Sequence, residues 1–126
     1  MKPLIPYAVV FVGAGIGGAL RHAVNVLASR AMRPDLPVAT FAVNVVGSLA
    51  AGVIAGYLAP RGEDATTIRL FAMTGVLGGF TTFSAYSLEL TRMMERGAMS
   101  TAFIYAAGSI LLSVLAVFAG FALTRA

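Results

Sequence analysis

The sequence has no cysteine, no tryptophan and a single histidine, and only nine Lys or Arg and five Asp or Glu among its 126 residues. Without cysteine there is no disulfide, no zinc-thiolate site and no thiol nucleophile. His22 has no carboxylate in its own segment to form a catalytic pair, so it reads as an interfacial residue. No nucleophile-base-orienter set and no phosphate-binding Walker loop occurs, which argues against an enzyme. The basic residues stand singly, with no basic run or aromatic-interleaved stripe of the kind that binds nucleic acid. Charge makes up 11% of the chain and hydrophobic residues 59%, whereas a soluble domain carries about 25% charge. A water-soluble domain of this length could not hide so much apolar surface, so the solvent is lipid.

What is present is a set of four long uncharged stretches: Pro3 to Leu20, Leu36 to Ala59, Leu70 to Leu88 and Gly97 to Thr124. At about 20 residues per crossing, each can span a bilayer. The expectation is an all-α membrane protein with a single four-helix transmembrane domain over residues 1–126 and spans at about 4–28, 37–59, 67–92 and 98–124. Short polar patches separate them: Arg30 to Asp35 with Pro34 and Pro37 as breakers, Pro60 to Asp64 with Arg69 beyond, and Arg92 to Arg96. The first span follows Lys2 and ends in small residues, as a signal peptide can. Arg21 directly after Leu20, and three further spans, favour a retained helix.

Four crossings would place Lys2, Arg61, Arg69 and Arg125 on one side and Arg30, Arg33, Arg92 and Arg96 on the other, leaving Arg21 at membrane depth. Since Lys and Arg bias sets orientation, a tie of four against four removes the usual instruction, which leaves two readings: insertion both ways up, or a chain with too few charges for the count to carry meaning. Gly13 with Gly17, and Gly52 with Gly56, have the spacing that lets helices approach closely, within one chain or between two.

The third stretch reads Gly75-Val76-Leu77-Gly78-Gly79-Phe80-Thr81-Thr82-Phe83-Ser84-Ala85-Tyr86-Ser87-Leu88-Glu89. Three glycines followed by Thr-Thr make a poor helix interior, and a break is expected there. In lipid such a break survives only where its freed N–H and C=O groups are buried in protein or line an ion or water site. Freed carbonyls are natural ligands for a small hard cation. Beyond the break, Phe83 and Tyr86 share a helical face, and the positive edge of an aromatic ring can favour an anion without holding it as tightly as Arg or Lys. Thr40, Asn44 and Ser48 recur every fourth residue in the second stretch, and Tyr105, Ser109 and Ser113 in the fourth. Each triplet is a polar stripe on an apolar helix, suited to interhelical hydrogen bonds or to replacing the hydration of a small anion. Asn44 carries two donors and an acceptor that cannot stay unpaired in hydrocarbon. Glu89 closes the third stretch, where a carboxylate can cap the helix, pair with Arg92 or face a vestibule. Arg21 must pair, snorkel or face water.

With GIGGALRHAV, TFAVNVVGS, GVLGGFTTFSAYSLE and the Tyr105, Ser109, Ser113 spacing in its four stretches, the chain resembles the small bacterial fluoride channels of the Fluc or CrcB type over its whole length. The resemblance implies an antiparallel, dual-topology homodimer in the bacterial inner membrane, with two narrow pores that let fluoride leave the cytoplasm. It implies a structural sodium ion at the dimer centre, held by main-chain carbonyls of Gly78 and Thr81. It implies a fluoride pore lined by Asn44, Phe83, Tyr86, Ser84, Ser109 and Ser113, with Thr40 and Tyr105 on the same stripes, and structural roles for Arg21 and Glu89. The usual run after the first pore phenylalanine is Ser-Thr-Phe, whereas here it is Ser84-Ala85-Tyr86. A hydroxyl is lost at Ala85 and gained at Tyr86, which can present its phenol to the anion as well as its ring edge. Two other readings fit the size. A four-helix, dual-topology, proton-coupled cation or multidrug transporter would want an embedded carboxylate in the first two spans, and neither has one. A non-transporting assembly subunit would leave the break and the polar stripes idle.

Overall fold

The computed structural model describes residues 2–33 and 36–125, all of whose regular structure is helical. Pro34 and Asp35, read above as part of the first polar patch, lie outside the described residues. Helix α1 is Ile5–Ala31 and α2 is Val38–Leu58. A 3-10 turn, Ala59–Ala65, leads into α3, Thr66–Arg69, a π-helical stretch, Leu70–Leu77, and α4, Gly78–Phe80. Helix α5, Phe83–Glu95, and α6, Met99–Arg125, complete the chain. Among the described residues, three stretches are long and apolar enough to cross a membrane: Ile5–Ala31, Met99–Arg125, and a 58-residue run, Val38–Glu95, within which α2 to α5 lie.

That long run is bent at Gly62, whose φ of 55° is open to a residue without a Cβ. The bend doubles the chain back on itself, because Thr40 reaches Glu89 and Asn44 reaches Thr82. Helix α5 ends in a Schellman motif, in which the N–H of Ala98 donates to Met93 and that of Gly97, at φ 78°, donates to Met94.

Glycine contacts fix the helix directions. Gly13 packs on Phe71 and Gly75, and Gly17 on Val76 and Phe80, so α1 runs parallel to the segment that leads into the break. Gly52 packs on Val117 and Gly120, and Gly56 on Phe121 and Thr124, so α2 runs parallel to α6. A Cβ on Gly13 would lie 2.6 Å from the Phe71 carbonyl oxygen and 2.9 Å from the Cα of Gly75. Helices in lipid associate through such close backbone packing, since lipid tails are as apolar as the side chains they would displace. Both glycine pairs singled out in the sequence are therefore used inside the chain. The fully buried core is small, with Val43, Leu58 and Met93 its largest members, while Phe11, Phe83 and Phe103 stand exposed.

Alanine substitutions separate close packing from mere glycine content. At Gly52 the new methyl would run into the Val117 carbonyl, whereas at Gly15 it meets no atom of its own chain. Gly52→Ala is expected to cost about 1–3 kcal/mol of stability as the helices are forced apart, and Gly15→Ala to be neutral or mildly stabilising through helix propensity. Unfolding in detergent measures both, and equal behaviour would contradict the packing described.

Candidate functional site

The site begins where the helix fails. Thr81, with ψ 158°, and Thr82, with φ −153° and ψ 124°, are extended between α4 and α5. Within the glycine and threonine run where a break is expected, Gly78, Gly79 and Phe80 stay helical and the extended pair is Thr81 and Thr82. The reason is local. The N–H and the hydroxyl of Thr81 both donate to the Leu77 carbonyl, at 2.9 and 2.8 Å, which closes the last turn. Glycine costs a helix only about 1 kcal/mol, and the β-branched threonines suit the extended region. The π-helical stretch just upstream is a rare local form that frequently accompanies functional sites.

Polar groups freed by the break are taken up one by one. Asn44 on α2 donates from Nδ2 to the Thr82 carbonyl at 3.0 Å, and the Thr82 N–H donates to Asn44 Oδ1 at 2.8 Å. This two-point clamp uses the Asn44 acceptor and one of its two N–H bonds. Arg21 on α1 donates from Nε to the Gly79 carbonyl at 3.0 Å. The Thr82 hydroxyl caps α5 by accepting from the Ala85 N–H at 3.2 Å. Among the described residues, no hydrogen bond is made to the carbonyl of Thr81, which lies outside the helices. It is one of the two carbonyls, with that of Gly78, to which the resemblance assigns sodium. Main-chain oxygens without a carboxylate suit a hard cation of low charge, and among the described residues no group of His, Cys, Asp or Glu could hold a metal.

Beside the break, a groove of about 420 Å³ between α2, α5 and α6 brings together Asn44, Gly78, Thr81, Phe83, Tyr86, Ser109 and Ser113, along with Ser48. No ionisable group other than the Tyr86 phenol lines it. Ser109 is 4% exposed and its hydroxyl has no hydrogen-bond partner. A buried hydroxyl left unpaired costs about 1–3 kcal/mol, so it marks a place where a ligand or water completes the structure. Phe83 is 76% exposed and Tyr86 6%, with ring centroids 5.5 Å apart and planes tilted by 44°.

Five expected site residues fall outside this groove: Arg21, already described, and Thr40, Ser84, Glu89 and Tyr105. The hydroxyls of Thr40 and Tyr105 donate to the two carboxylate oxygens of Glu89, at 2.7 and 2.8 Å. Glu89 therefore neither caps a helix nor pairs with Arg92; it ties α2, α5 and α6 together. Thr40 and Glu89 face a second cavity of about 300 Å³ that also carries Arg33, Arg92 and Arg96. Ser84 is exposed on the first turn of α5, 3.3 Å from the Thr82 hydroxyl. The gained hydroxyl of Tyr86 is not open to an anion. It donates to the Ala106 carbonyl on α6 at 3.0 Å, because the buried ring bridges α5 and α6 and its far end reaches the α6 backbone. Sequence reasoning missed Thr82, whose place directly before a helix-forming run is an N-cap signal, and Ala106, whose carbonyl leaves no trace in the sequence.

Comparison with known proteins adds three findings. The profile of the family described as CrcB-like protein, Camphor Resistance (CrcB), matches residues 8–121. The fluoride-specific ion channel FluC 2 of Nitrobacter hamburgensis is 54% identical over 119 residues, covering 94% of this chain and 96% of that protein. The fluoride-specific ion channel FluC of Rhodopseudomonas palustris is 48% identical over 120 residues, covering 95% of this chain and 97% of that protein.

The clamp generates a stability test. Asn44→Ala leaves both the N–H and the carbonyl of Thr82 unpaired at the break, and is expected to cost about 2–4 kcal/mol. Asn44→Asp, which sets an oxygen against the Thr82 carbonyl and buries a carboxylate in hydrocarbon, should cost at least as much. Thermal unfolding in detergent measures the series, and an Asn44→Ala protein as stable as the parent would rule out the clamp as a support of the break.

Proposed function

Because the chain belongs to the CrcB-like protein family, we propose that it is a fluoride-specific ion channel, a passive pore rather than an enzyme or a coupled pump, that lets fluoride leave the cytoplasm and lowers its toxicity. The observation that carries this reading is the partnerless hydroxyl of Ser109, buried in a groove edged by Phe83 and Tyr86 and free of fixed charge. A small, strongly hydrated anion needs its water replaced by donors. Ser109, Ser113 and the remaining N–H of Asn44 can supply them, and the aromatic edges add a weak positive potential. Weakness is useful here, because a conducting site must also release its ion. Fluoride reaches an acidified cell as neutral HF and ionises inside. A negative interior then drives the anion out with about 2.3 kcal/mol per 100 mV, so no ATP or proton coupling is required.

The working unit in this proposal is an antiparallel homodimer in the bacterial inner membrane, each subunit crossing four times. Several observations support it. The 58-residue run doubles back at Gly62, far longer than the roughly 20 residues one crossing needs. Successive crossings run in opposite directions, since Thr40 meets Glu89 while Asn44 meets Thr82, and the Lys and Arg tally is even. Phe83, on the groove, is 76% exposed in the single chain and would be covered by a second copy. A sodium ion on the Gly78 and Thr81 carbonyls would supply positive charge that holds the two breaks together. Thr40, Glu89 and Tyr105 brace the end of the pathway from within each subunit.

Two experiments bear on these points. Liposomes holding the protein are expected to release fluoride but neither chloride nor a lipophilic cation. Phe83→Ile, which keeps most of the volume and loses the ring edge, should slow that release about tenfold, the scale of one aromatic contact. Release of chloride at the same rate, or no effect of the substitution, would refute the pathway. Separately, two Lys added to the turn between α5 and α6 should fix orientation and abolish flux when that variant is expressed alone, with recovery on co-expression with an oppositely biased variant. Normal flux from the single biased form would refute the antiparallel dimer.

A further inference from the structure

Tyr86 differs from Phe83 in how it is held, although the two rings share one groove. Its hydroxyl donates to the Ala106 carbonyl at 3.0 Å, while the body of the ring lines the groove. On its other side the ring meets Tyr105, with centroids 5.2 Å apart and planes tilted by 42°. Tyr105 is itself tied, through its hydroxyl, to Glu89, and Glu89 is held by Thr40. Helices α2, α5 and α6 thus reach the Tyr86 ring through one continuous chain of contacts. Phe83 has no polar tie and is largely exposed.

We propose that the Tyr86 hydroxyl is a positioning group for the anion path: bonded to Ala106, it holds the second ring in the groove, so that an anion meets one ring anchored by a hydrogen bond and one ring held by packing alone. The inference rests on the reading of the groove as the fluoride pathway. A phenol oxygen lies on the axis about which the ring spins, so the hydrogen bond leaves that spin nearly unrestrained. What it opposes is a swing of the whole ring about χ1, which would carry the oxygen away from Ala106. Anchoring places the ring beside the groove before the ion arrives, so less conformational freedom is lost on binding. The resembled family usually carries Phe at this position, and a phenylalanine ring could keep the packing but not the anchor.

The test is Tyr86→Phe, a change of one oxygen. Initial fluoride efflux from liposomes is measured against internal fluoride concentration, beside thermal unfolding of the same proteins. The fluoride concentration giving half-maximal efflux is expected to rise two- to fivefold in Y86F, a bound set by the worth of about one neutral hydrogen bond. Curves for Y86F and the parent that superimpose, whatever happens to the unfolding temperature, would show that the hydroxyl only ties α5 to α6, and would overturn the proposal. A parent protein that releases no fluoride would instead remove the channel reading on which the proposal stands, a result distinct from superimposed curves.

Discussion

A helix interrupted in hydrocarbon must find partners for its backbone from outside itself, and that requirement organises this molecule. Water in the bilayer core cannot serve the N–H and C=O groups of Thr81 and Thr82. The clamp from Asn44 serves Thr82 at both ends of its peptide units, and Arg21 takes the Gly79 carbonyl. Each donor comes from a different helix, so the break can exist only when α1 and α2 are already in place. The repair is also selective. It leaves the carbonyl of Thr81 without a backbone or side-chain donor.

Close glycine packing supplies the precision that such a repair demands. A hydrogen bond weakens within a few tenths of an ångström, so α1 and α2 must approach the third stretch at fixed distances. Backbone against backbone gives that, because a glycine surface has no rotamers to adjust. Gly17 against Val76 and Gly79 against Ala14 set the reach of Arg21 to the Gly79 carbonyl. On the other side, Gly47 sits against Thr81 beside the Asn44 clamp, and Gly52 against Val117 holds α6 in register with α2. The groove is what remains between helices brought together in this way.

Aromatic and carboxylate side chains then divide the polar residues into two groups with different duties. Around the groove, Ser109 is left without a partner. Around Glu89 both carboxylate oxygens are satisfied by hydroxyls. The polar stripes on α2 and α6 look uniform along each helix, but their first members, Thr40 and Tyr105, brace the structure, and their later members, Ser48, Ser109 and Ser113, face the groove.

Much of this was open to reading in the sequence, because it depends on local pattern. Scarce charge over long apolar stretches dictates membrane helices; Gly-Gly followed by Thr-Thr dictates a weak point; the spacing of Phe83 and Tyr86 puts two rings on one face. Such features are set by residues a few positions apart. Tertiary structure decided the rest, because the deciding partners are remote: Asn44 and Thr82 are 38 residues apart, Thr40 and Glu89 are 49, and Arg21 and Gly79 are 58. Whether the amide of Asn44 faces an ion or mends a backbone, whether Glu89 pairs with Arg92 or accepts two hydroxyls, and whether the phenol of Tyr86 meets an anion or a carbonyl are questions of which group arrives first within 3 Å. In a bilayer that arrival is governed by how closely the helix backbones can pack.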